Sequence, residues 1–230
     1  LLNLPETQAR NQAWQDLVHG IKNPSEELTI HVVGKYTGYE DSYKSLNEAT
    51  VHGGFPSGVK VHLNWIEAEA LESDDSGSLL DGAHGILVPG GFGLRGTRGM
   101  MKAAEFARVH SVPYLGICYG FQWATVEFAR HMCDLDNADS TEVDEDTPHR
   151  VIYKLRDLLG VDDLGGTMRL GQDACALTPG SVAEQIYGAS LVHERHRHRF
   201  EFNPLYEAAL REKGMHISGR SPDGKFVEIA

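Results

Sequence analysis

Apolar and polar positions switch repeatedly between a strand period and a helix period along this chain. Residues 27–36, ELTIHVVGKY, are an apolar run closed by Gly34 and predict a strand. Residues 41–54, DSYKSLNEATVHGG, place Tyr43, Leu46 and Ala49 on one side of a helix. In residues 59–68, VKVHLNWIEA, the positions Val59, Val61, Leu63 and Trp65 alternate with polar ones and predict a second strand. Residues 84–93, HGILVPGGFG, read as a short apolar strand entering a glycine loop, and residues 99–110 as a helix. Residues 112–118, VPYLGIC, read as a strand and residues 120–133 as another helix. Strands separated by helices of this size imply a parallel sheet with right-handed crossovers, an α/β fold.

The alternation loosens further on. Residues 134–150, DLDNADSTEVDEDTPHR, are acidic and read as a solvated loop. Residues 164–177 and 189–203 read as later strands with a connecting segment, residues 204–214 as a helix, and residues 225–230 as a closing strand. Residues 1–25 contain Pro5, Pro24 and a short helix around Trp14, and read as a linker ahead of a domain spanning 26–230. The chain shows no internal repeat and no low-complexity run.

Composition narrows the function classes. A chain of 230 residues with formal net charge -12 is long enough for one large domain with a good core. The acidic balance argues against a general nucleic-acid binder and against docking on anionic membranes. No apolar stretch approaches the length of a membrane span. The first residues lack the basic start and apolar core of a signal peptide. Three cysteines are too few and too scattered for a disulfide framework, so a reducing, cytoplasmic setting is the simplest reading. The chain does not begin with methionine and reads as a piece of a longer one.

One cysteine stands apart. Gly116-Ile117-Cys118-Tyr119-Gly120 places a thiol at the corner where an apolar strand gives way to a helix. Such a corner presents one side chain at the sheet's C-terminal edge, and flanking glycines keep Cβ atoms from colliding in the turn. A thiol there meets the positive end of a helix dipole, which predicts a lowered pKa. The Tyr119 N–H is placed for a developing oxyanion, and Gln122 follows one turn later on the same helix face. Cys133 and Cys175 read as ordinary buried thiols. The glycine loop supplies a second donor. Parallel strands open on the same edge, so the Gly91 N–H can complete an oxyanion hole with Tyr119. Residues 91–96 also form a G-x-G-x-x-G, but a dinucleotide site needs an acidic residue near the end of the next strand, and that strand ends in the cysteine.

These stretches together resemble the class I glutamine amidotransferases, and more specifically the glutaminase domain of the CTP synthase family. The motifs that carry the likeness are VGKY…EDSYKSLNEA, ILVPGGFGLRG, YLGICYGFQ, NADSTE, LGGTMRLG and ERHRHRFEFN, in the family's order over almost the whole chain. The resemblance implies a flavodoxin-like three-layer domain, mostly parallel sheet with flanking helices. It implies that Cys118 attacks the side-chain amide of glutamine, with Gly91 and Tyr119 as oxyanion donors and Gln122, Glu142 and Arg197 gripping the amino-acid end. It further implies that ammonia passes to an amidoligase domain preceding Leu1, which aminates UTP to CTP with ATP and magnesium. GTP as activator, a homo-tetrameric full-length enzyme, and no cofactor in this domain follow from the same likeness.

The chain departs from the family in places. Tyr119 and Phe121 stand where Leu and Met are usual, and Arg98 stands where an acidic residue is expected. The family's general base and its orienting acid come from a His-Pro-Glu segment after the strand matching KFVEIA, and no His-x-Glu occurs in this sequence. His196 and His198 lie two apart on a strand, on the face opposite Arg195, Arg197 and Arg199, with no third ligand at a suitable spacing, so no metal is assigned. Two other readings stand beside the enzyme: an amidotransferase fold kept for binding or assembly with its catalytic set incomplete, and a cysteine-elbow hydrolase or redox sensor of similar architecture.

Overall fold

A computed structural model describes residues 11–38, 40–73, 76–155 and 168–230. Helix α1 (Gln12–Lys22) precedes strand β1 (Glu26–Gly34), helix α2 (Lys44–Gly54) and strand β2 (Val59–Glu67). Strand β3 (Gly85–Val88), helix α3 (Thr97–His110), strand β4 (Tyr114–Gly116) and helix α4 (Tyr119–Met132) follow. The four strands form one parallel sheet in the order β2-β1-β3-β4, as the alternation predicts. All four residues of β3 are buried, the signature of a parallel strand covered on both faces. Val33, Ile86 and Val88 pack with Met100, Ala103 and Ala107 of α3 and with Trp123, Val126 and Ala129 of α4. Burying each large side chain of this set contributes about 1.5–3 kcal/mol. That core fixes α4 against the sheet and so fixes the corner at its start.

The later strands run differently. Strand β5 (Ala138–Ser140) pairs parallel with β6 (His149–Lys154), which pairs antiparallel with β9 (Phe200–Phe202). Strands β7 (Arg169–Leu177) and β8 (Leu191–His198) form an antiparallel ladder, with helix α5 (Val182–Tyr187) between them. Helix α6 (Glu207–Glu212) leads to β10 (Gly219–Arg220) and β11 (Val227–Ile229), giving a second sheet ordered β11-β10-β7-β8.

The acidic stretch 134–150 is not the solvated loop its charge suggests. It contains β5 and the start of β6, and Ala138, Ser140, Thr141 and Thr147 are buried. Asp139 is compensated by Arg130, whose Nη2 donates to it at 2.9 Å, so its charge does not force exposure. The helix read over 41–54 opens with a tighter turn, Glu40–Tyr43, before α2. Residues 1–10 of the proposed linker and residues 164–167 of the LGGTMRLG stretch lie outside the described residues. Among the described residues no helix is long and apolar enough to cross a membrane.

Candidate active site

Cys118 is the residue between β4 and α4, with φ 53° and ψ -102°. A side chain held at such a backbone costs about 1–3 kcal/mol and persists only where its surroundings enforce it. The surroundings are visible. The Ile117 N–H donates to the Val88 carbonyl at 2.9 Å, the Gly120 N–H to the Ile117 carbonyl at 3.0 Å, and the Gln122 N–H to the Cys118 carbonyl at 3.0 Å. The Tyr114 hydroxyl donates to the Gly120 carbonyl at 2.9 Å. Both flanking glycines are required by space. A Cβ on Gly116 would stand 2.6 Å from the Gly120 carbonyl carbon, and one on Gly120 would collide with the Val88 carbonyl oxygen.

The thiol's pKa corrects the sequence expectation. Burial pushes it up, and the Glu142 and Glu201 carboxylates push the same way. The neighbouring Tyr119 N–H favours thiolate, but it is outweighed. The helix start therefore supplies a donor without making a resting thiolate.

The glycine loop lies against this corner. A Cβ on Gly90 would sit 3.7 Å from the Cys118 Cβ, and one on Gly91 would sit 3.2 Å from the Tyr119 ring. Lys35, the residue after β1, reaches across with only 3% of its surface exposed. Its Nζ donates to the Phe92 and Gly93 carbonyls at 2.6 Å each and stands 4.5 Å from the centre of the Tyr119 ring. The Tyr119 hydroxyl donates to the same Gly93 carbonyl at 2.6 Å, and the Gly93 N–H donates to Glu142 Oε1 at 2.7 Å. Burial draws the Lys35 pKa down to about 8, although Glu142 and Glu69 support its charge. Arg95 braces the far side of the loop through Glu69 and the Lys35 carbonyl.

Gln122 is buried, and its Nε2 donates to the Phe200 carbonyl at 3.0 Å. Its Oε1 has no partner among the described residues, which leaves a buried acceptor one turn above the thiol. Cys118, Gln122 and Arg197 border one cavity of about 860 Å³, which reaches to α5 and β11. Gly91, Tyr119 and Glu142 do not border that cavity; they meet around the glycine loop. Along β8 and at Arg199 just after it, the arginines 195, 197 and 199 are exposed and the histidines 196 and 198 half-buried, the alternation expected of a strand. The half-buried face carries an ionic cluster. Arg169 meets Glu228 at 2.8 Å, Asp173 at 3.0 Å and Glu201 at 3.3 Å, and His198 meets Glu201 at 2.7 Å. Burial opposes the Arg169 charge, yet Glu228, Glu201 and Asp173 raise its pKa overall. His196 sits 3.6 Å from Glu228, too far for a hydrogen bond, and burial lowers its pKa.

Comparison with known proteins settles the family. The family model described as "Glutamine amidotransferase class-I" matches residues 39–230. The chain belongs to the class I glutamine amidotransferases. Within that family it is 54% identical over 94% of its length to a CTP synthase of Koribacter versatilis. It is 48% identical over all of its length to a CTP synthase of Syntrophus aciditrophicus. It spans 39% and 43% of those two proteins, about two-fifths of the curated relatives it matches. Among solved structures, the glutaminase domain of Trypanosoma brucei CTPS with bound acivicin superposes with a TM-score of 0.80 at 31% identity, covering 87% of this chain and 78% of that one. This amidotransferase domain is thus homologous to CTP synthase glutaminase domains.

Sequence reasoning passed over two groups. Lys35 was one residue in a family motif; its signal was a lysine placed directly after the buried C-terminal end of a parallel strand, where α/β sheets build their sites. The Arg169–Glu201–Glu228 cluster had none, because its members come from three strands distant in sequence.

Proposed function

We propose that this domain hydrolyses glutamine through Cys118 to supply ammonia. The observation that carries the reading is the enforced positive φ of Cys118 between two spatially required glycines. The sulfur attacks the side-chain amide carbon of glutamine, and the carbonyl oxygen takes negative charge between the Gly91 and Tyr119 N–H groups. Collapse breaks the C–N bond, the nitrogen leaves with an added proton as ammonia, and a γ-glutamyl thioester remains. Water then cleaves the thioester to glutamate and free thiol. Because burial keeps Cys118 protonated at rest, a base must take its proton as the sulfur attacks. The likeness assigns that base to a His-Pro-Glu segment, and this chain does not contain one.

At the amino-acid end, the Gln122 acceptor suits an ammonium and Arg197 a carboxylate, both from the cavity beside the thiol; the likeness adds Glu142 for the ammonium, though it stands outside that cavity and already accepts from the Gly93 N–H. In the whole protein, by likeness to the CTP synthases, the ammonia aminates UTP with ATP and magnesium on an amidoligase domain of the same polypeptide. GTP activation, a homo-tetramer and a cytoplasmic setting belong to the same proposal.

The test is intact mass before and after an electrophilic glutamine analogue. A single adduct on Cys118, blocked by excess glutamine, is the expected result. Equal labelling of Cys133 and Cys175, or none, would overturn the reading.

A further inference from the structure

We propose that Lys35 and Tyr119 are positioning residues: together they fasten residues 90–93 to the start of α4, and so aim the Gly91 N–H at the reacting carbonyl. The inference rests on the amidotransferase reading of the site and adds the parts that set its oxyanion donor.

Every polar main-chain atom of Gly93 is tethered. Its N–H goes to Glu142 at 2.7 Å, and its carbonyl accepts from both Lys35 Nζ and Tyr119 Oη at 2.6 Å. Lys35 holds the preceding Phe92 carbonyl as well, at 2.6 Å. The loop has little apolar burial of its own, since Phe92 is 69% and Leu94 68% exposed. Its conformation, with Gly93 at φ +72°, is therefore selected by these polar tethers. Tyr119 is also the residue directly after the nucleophile, so its phenol ties the loop to the turn that carries the sulfur. Gly91 lies between the Tyr119 ring at 3.2 Å and the Lys35 chain at 3.7 Å, measured from where a Cβ would be. The charged groups around the ammonium are Glu142 and Glu69, which favour it, and Arg95, which opposes it.

The experiment compares Lys35→Met, Tyr119→Phe and the double variant in the protein as its gene encodes it. Lys35→Met keeps the packed chain and removes two tethers; Tyr119→Phe keeps the ring and removes one. Glutaminase kcat should fall by about tenfold to a hundredfold for Lys35→Met, within the loss seen when a whole oxyanion donor is removed. For Tyr119→Phe the fall should be about threefold to tenfold, the scale of one hydrogen bond. KM should stay within about twofold, and alkylation of Cys118 by iodoacetamide, which needs no oxyanion hole, should not change. The double variant should lose less than the sum, because both groups act on one carbonyl. Amide exchange of residues 90–96, read by mass spectrometry, should quicken in both single variants while the rest of the chain is unaltered. Unchanged exchange and kcat within about twofold would overturn the proposal. A fall in kcat matched by an equal fall in iodoacetamide labelling and in Tm would overturn it too, since that is general loss of structure. If the unaltered protein turns over no glutamine, the amidotransferase reading fails, and the exchange measurement still decides whether the clamp exists.

Discussion

Cys118 is unusual less for its thiol than for the backbone that holds it. A φ of 53° survives because Gly116 and Gly120 leave room for the turn and the Val88 carbonyl closes it from the neighbouring strand. Gly120→Ala therefore attacks the elbow without touching the sulfur. Its methyl would be driven into Val88, so the variant should lose about 1–3 kcal/mol of stability, as overpacked sites do. It should also lose most glutamine-protected labelling of Cys118, scored by denaturant melts and intact mass. Normal labelling in a variant of unchanged stability would show that the turn tolerates a side chain. This residue was legible in the sequence, because two glycines around a cysteine after an apolar run describe a local device. Lys35 was not, because its partner Phe92 lies 57 positions further on. The depressed thiol pKa predicted from the helix start was wrong for a related reason. The dipole is local, while the burial that raises the pKa, and after it the carboxylates of Glu142 and Glu201, come from other elements packed around the thiol.

At the level of elements, the parallel half could be read from period alone, since each strand and crossover helix carries its own apolar pattern. The antiparallel half could not. Strand β7 presents Arg169 inward because Glu201 on β9 and Glu228 on β11 receive it, and none of the three strands shows that on its own. The side chains of Arg169, Glu201 and Glu228 are 10%, 5% and 5% exposed, so removing the cation leaves two buried carboxylates with only the histidines 196 and 198 beside them. Arg169→Met should cost about 3–5 kcal/mol, the penalty for breaking a buried ion pair from one side. Arg169→Lys should fall between, because an ammonium restores charge without the planar fork that spans several acceptors. Urea midpoints of the three proteins give the ranking, and a Met variant as stable as the parent would mean that the cluster contributes nothing net. Cys118 senses the same cluster through Glu201, so loosening it should also alter thiol reactivity.

Across the whole molecule, alkaline pH separates the buried lysine from the rest. The folded state lowers the Lys35 pKa from 10.5 to about 8, so between those values the unfolded chain holds more protons than the folded one. Folding stability gains from Lys35 as pH rises through that window. Cys175 works in the opposite sense. Burial lifts its thiol from 9.0 to about 11, so the folded state keeps a proton that the unfolded chain has shed, and stability is lost from pH 9 upward. A net charge of -12 adds repulsion that also grows with pH. The parent protein's Tm therefore mixes opposing slopes, but its difference from Lys35→Met does not, because the thiol and the repulsion are nearly common to both. That difference should shift in favour of the parent as pH rises from about 8 to 10.5, by at most about 1.4 kcal/mol for each pH unit. Calorimetry at pH 7.5, 9 and 10.5 reads it. A difference that stays flat would mean that Lys35 keeps an ordinary pKa, and that the ammonium over the Tyr119 ring is better hydrated than its burial implies.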